Sequence, residues 1–124
     1  MKYQSLEQQV VNLTPLEPGE VILGDWWAAI RHTSISDKLV LTNHRLMGFR
    51  TKGIIHPVLA SLIFDWMFRL EEIGPPVLRL LGRHYHILIQ GKDVQILMED
   101  SRSVACEIEK ARHNRLSSVS VHEP

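Results

Sequence analysis

The residues whose types could do chemistry are two neighbouring histidines, one cysteine, a scatter of carboxylates and a basic run. His84 and His86 stand two apart, so on a strand they share one face, a geometry that can bind a metal ion. No third ligand follows nearby in sequence, and two half-exposed strand histidines are the plainer reading; no metal is assigned. Asp25, Asp37, Asp65, Glu71 and Glu72 supply carboxylates, but nothing pairs them with a nucleophile. There is no phosphate-cradling glycine loop, no Gly-x-Ser-x-Gly elbow and no His-Glu-x-x-His. Cys106 is the one cysteine, so neither an internal disulfide nor a Cys/Cys metal knuckle is available. These residues point to a non-catalytic chain without a cofactor.

Arg31, Lys38, Arg45, Arg50 and Lys52 fall in one short span, opposed there only by Asp37, with His32, His44 and His56 among them. Anionic lipid head groups are attracted to such clusters by about 1 kcal/mol per basic side chain. On paired strands, Arg31, Lys38, Arg50 and Lys52 would gather at one end of the sheet. Arg45 falls at the opposite end, in a structural role. The alternative is a solvated sheet edge kept charged against aggregation. Net charge is zero with histidine neutral, so no nucleic-acid partner is expected.

A second set of candidates is apolar. Both faces of Val21–Ile30 are largely apolar, so one of them, around Trp27, can meet something beyond the core. The stretch from Ile54 and Ile55 through Leu59 and Leu62 to Phe64 has three possible fates: folding back over the core, contacting another protein, or wedging into a membrane interface. Large exposed apolar patches mark interaction sites.

The elements that must position these residues are mostly strands. With 124 residues, 44% hydrophobic and 23% charged, the chain has the proportions of one globular domain. Leu6, Val10, Val11 and Leu13 form a weak stripe in a lead-in or short helix. After Pro18-Gly19, strands are predicted at 21–30, 38–42, 45–50, 65–70, 77–81, 85–90 and 94–98. Asn43-His44 makes a tight turn, so the second and third strands form an antiparallel hairpin. The segment 51–64 reads as an excursion, with a short helix at 59–64. Spacing turns helical after Asp100 or Ser101, either of which can cap. Val104, Ile108, Ala111 and Arg115 follow, with Glu107/Lys110 and Glu109/His113 as exposed pairs. No stretch reaches the about 20 apolar residues of a membrane span, and the first residues lack the apolar core of a signal peptide.

Leu16-Glu17-Pro18-Gly19-Glu20 before an apolar strand resembles the opening of bacterial PH-like and GRAM-type domains. Leu41-Thr42-Asn43-His44-Arg45-Leu46 resembles their Leu-Thr-Asn-x-Arg-Leu stretch, and Phe68-Arg69-Leu70-Glu71-Glu72-Ile73 a later segment. The resemblance covers roughly Leu16 to Arg115. It implies a mainly β fold, a PH-like partly open antiparallel barrel of about seven strands with one C-terminal helix. The boundaries expected are a lead-in over 1–15, the domain over 16–116 and a flexible tail over 117–124. Family members with phosphoinositide affinity use basic residues around the first loop, but here Val40 stands where a second alternating basic residue would be. The expected function is a cytoplasmic binding module working by protein interaction or self-assembly through Trp27, Ile54, Ile55, Leu59, Leu62 and Phe64. The alternative is a module peripheral at the membrane that binds anionic lipid through Arg31, Lys38, Arg50 and Lys52.

Overall fold

The computed structural model describes residues 5–30, 37–53, 55–68, 74–81, 84–89, 92, 94–98 and 100–121. In chain order these form α1 (Leu6–Leu13), β1 (Ile22–Ile30), β2 (Asp37–Thr42), β3 (Arg45–Lys52) and β4 (Val58–Met67). There follow β5 (Pro76–Leu81), β6 (His84–Ile89), β7 (Gln95–Leu97) and α2 (Ser101–Val121). The seven strands make one antiparallel sheet in the order β4-β3-β2-β1-β7-β6-β5. It is an open, mainly β architecture with a C-terminal helix. Strand β1 joins the halves: Ile22 to Ala28 pair with β2, while Ala29 and Ile30 pair with β7.

The sheet buries residues on both faces. On the inner face Ile30, Leu39, Leu41, Leu46, Ile87 and Ile96 meet Val104, Ile108 and Ala111 of α2. Those α2 positions are the predicted stripe; Arg115 continues it but stays half-exposed. The Ser101 hydroxyl donates back to the Met98 carbonyl at 2.9 Å, tying the helix start to β7's end. On α2, Glu109 pairs with Arg112 at 3.2 Å, a pairing not among the expected Glu107/Lys110 and Glu109/His113. The helix continues to Val121, through most of the tail expected to be flexible.

On the outer face Val40, Met47, Phe49 and Leu59 pack under α1 around the fully buried Val10. An eight-residue helix is marginal alone, and two devices hold this one. Ser5 and Gln8 form a capping box, which satisfies donors that a helix start leaves free. Gln9 Oε1 accepts the Leu59 N–H at 2.8 Å, closing one backbone donor on the edge strand β4.

Residues 58–64 depart from the sequence-based expectation. They are strand, and the helix expected at 59–64 is absent. Two register shifts against β3 leave Ala60 and Ile63 as extra residues in β4. Such bulges switch which face the following side chains take. Here they turn Phe64 and Trp66 inward, where their rings stack at 3.8 Å, and leave Leu62 outward opposite Phe49.

Gly48 makes that inward turn possible. A Cβ there would lie 2.4 Å from the Phe64 ring. Gly48→Ala is expected to cost about 1–3 kcal/mol through overpacking, measured as a lower urea midpoint. Adding Phe64→Leu should recover part of the loss; an unchanged midpoint in the single variant would contradict the contact.

Candidate functional site

The polar centre of the structure grows from the turn between β2 and β3. The Thr42 hydroxyl accepts the N–H groups of His44 (3.0 Å) and Arg45 (2.9 Å) and donates to Glu20 Oε2 at 2.6 Å. Asn43 holds the incoming chain: its Oδ1 accepts from Val21 N–H (2.8 Å) and its Nδ2 donates to Gly19 O (3.0 Å). Arg45 donates from Nε to Glu20 Oε2 (2.8 Å), from Nη1 to Asp65 Oδ2 (2.8 Å) and Thr14 Oγ1 (3.2 Å), and from Nη2 to Pro15 O (2.7 Å). Arg45 is thus structural, at the end of the sheet away from Lys38 and Arg50.

The Glu20 carboxylate is fully enclosed. Burial pushes its pKa up, but hydrogen bonds from Arg45, Thr42 and the Glu17 backbone, with the Arg45 charge, outweigh this and hold it below the usual range. Burial likewise works against the Arg45 charge, and the Glu20 and Asp65 contacts more than compensate. His44 Nδ1 lies 3.1 Å from Glu17 Oε1. Glu17, Glu20 and His44 come close enough to suggest a metal-ligand triad. Glu20 already accepts from Arg45, Thr42 and the Glu17 N–H, so a metal would have to displace Arg45. The cluster is a structural clip.

A partly exposed apolar surface lies beside α1. Trp27, Lys38, Phe49 and Leu62 form one cross-strand row on the outer face. α1 covers the inner part of the row. Trp27 remains 44% exposed and Leu62 39%. The Lys38 ammonium sits 4.1 Å from the Trp27 ring centroid and 2.9 Å from Asp25 Oδ1. Trp27 lies at the edge of a cleft of about 230 Å³, lined also by Leu6, Gln9, Thr51 and Leu59.

The predicted residues divide accordingly. Trp27, Lys38 and Leu59 meet around this cleft, although Leu59 is buried beneath α1. Phe64 belongs to the inner core. Ile55 is 82% exposed in the β3–β4 connection. Arg50 and Lys52 are exposed on β3. Lys38 is engaged by Asp25 and Trp27, which lowers its value as a head-group contact. Arg31, Ile54, the 69–73 stretch and the His84 side chain lie outside the described residues. His86 Nδ1 is buried without a hydrogen-bond partner among the described residues. Glu20, Asp25 and Gln9 were not expected at any site. A cross-strand pair such as Asp25 with Lys38 leaves no mark in sequence spacing.

Comparison with protein-family models, curated proteins and solved structures gives no match.

Arg45→Met should destabilise by about 3–5 kcal/mol, because it strands buried carboxylates. Since the folded-state pKa of Glu20 is lowered, its contribution is complete above the unfolded carboxyl value near pH 4.3 and is lost as pH falls through the folded value. Urea midpoints measured across that range should fall in the wild type, and Glu20→Gln should flatten the fall. Equal slopes in the two proteins would contradict this role.

Proposed function

We propose that the chain is a non-catalytic, PH-like binding module that works by protein interaction, with a second copy of the chain as its simplest partner. The observation that carries this reading is Trp27, a large half-exposed aromatic whose ring is packed by Lys38, itself paired with Asp25. An anchor ordered before contact loses little side-chain freedom on binding, and tryptophan is over-represented among the residues that dominate interfaces. Leu62 extends the same outer row. The order of seven antiparallel strands followed by a helix is consistent with an open barrel.

A second reading has its own observation. Ile55 projects from the β3–β4 connection, with exposed Arg50 and Lys52 on the strand that leads into it. An apolar tip beside basic side chains suits an anionic membrane surface. Among the described residues no helix is long and apolar enough to cross a membrane, so contact by this route would be peripheral.

Sedimentation velocity over a concentration series tests the first reading. A rise in mass that Trp27→Glu abolishes is expected, and a monomer throughout would remove self-association. Co-sedimentation with neutral and anionic liposomes tests the second. Binding confined to anionic liposomes at low salt, and lost in Arg50→Glu/Lys52→Glu, would favour the membrane. No binding to either liposome leaves the protein partner.

A further inference from the structure

At the end of the sheet away from Lys38 and Arg50, a cleft of about 280 Å³ opens between the β2–β3 turn and the second half of α2. It is lined by Leu23, Asn43, His44, Ala111, Asn114 and Arg115. No carboxylate is among these lining residues. Arg115 provides a guanidinium, Asn43 and Asn114 provide carboxamides, and no described carboxylate forms an ion pair with Arg115. Leu23 and Ala111 supply an apolar wall.

Two features show that this wall and rim are held in place. The register of β1 against β2 shifts between Ile22 and Gly24, which leaves Leu23 as the extra residue. Bulges re-aim side chains, and this one leaves Leu23 half-exposed in the cleft. On the rim, Asn43 is fixed by Val21 and Gly19. His44 is fixed by Glu17: a carboxylate accepts, so the imidazole donates from Nδ1.

We infer that this cleft binds a carboxylate carried on a short, branched apolar body, with the carboxylate on Arg115 and the body against Leu23 and Ala111. A planar guanidinium forms paired, charge-assisted hydrogen bonds to a carboxylate. Small apolar pockets with a few convergent polar groups are the usual form of a ligand site. The same chemistry is offered by a free branched-chain acid and by the C-terminal leucine of a peptide. The site is separate from the Trp27 face and does not depend on the protein-interaction reading.

The test is an amide-resolved NMR titration of the full chain with four probes: 3-methylbutanoate, 3-methylbutanol, N-acetyl-leucine and N-acetyl-leucinamide. Saturable shifts at Leu23, Asn43, His44, Asn114 and Arg115 are expected with one or both acids and not with the neutral partners. Response to 3-methylbutanoate assigns a free acid; response to N-acetyl-leucine alone assigns a peptide terminus. Arg115→Gln, on the helix surface, should weaken binding about tenfold, as expected for loss of a charge-assisted pair. Leu23→Ser should weaken it independently. Absence of saturable shifts with either acid, equal response to the neutral probes, or unchanged affinity in Arg115→Gln would overturn the assignment.

Discussion

The fold depends on one buried cation. Arg45 lies at the start of β3 and reaches Glu20 before β1, Asp65 on β4, and Thr14 and Pro15 after α1. A guanidinium in the interior is costly unless its donors are matched and its charge opposed. Here both conditions are met by residues far apart in sequence, so the clip closes only when β1, β3, β4 and the 14–20 connection are all in place. Breaking it is costly because it leaves buried carboxylates unpaired. Its structural value is to fix how the connection crosses the outer face, and hence where α1 lies.

That placement shapes the surface. Because α1 occupies the outer face over Val40, Met47 and Phe49, the row from Trp27 to Leu62 is covered in part and left open at its ends. Lys38, paired with Asp25, packs against the Trp27 ring. Gln9 closes a backbone donor on β4, and edge strands left open invite unplanned pairing. Trp27 and Leu62 are the exposed ends of this row, while Val21, Leu23, Ile55, Val77 and Leu80 are exposed elsewhere on the described surface.

Much of the fold was legible in the sequence where one face is buried and the other is wet. Ile87, Ile89 and Ile96 fall at alternate, inward positions of their strands and are buried, and the Asn43-His44 turn sets its hairpin. Residues 58–67 were obscured because β4 is apolar on both faces and carries two bulges. Its side chains follow neither a strand's period nor a helix's. The Leu-Thr-Asn-x-Arg-Leu stretch was visible as a pattern, but its cause was not. Glu20 and Asp65, which complete the clip, stand 25 residues before and 20 after Arg45. Trp27 was legible as a residue with apolar neighbours on both faces; its contact with Lys38, itself paired with Asp25, is tertiary.

The most direct test of the central claim, that Trp27 is an interface anchor, is fluorine NMR of the chain labelled with 5-fluorotryptophan. Trp26, Trp27 and Trp66 give separate reporters, assigned by single Trp→Phe substitutions. The expected result is a Trp27 resonance that shifts or broadens as concentration rises, while Trp66, in the inner core, stays fixed. Three resonances independent of concentration, or a change confined to Trp66, would contradict self-association through this face.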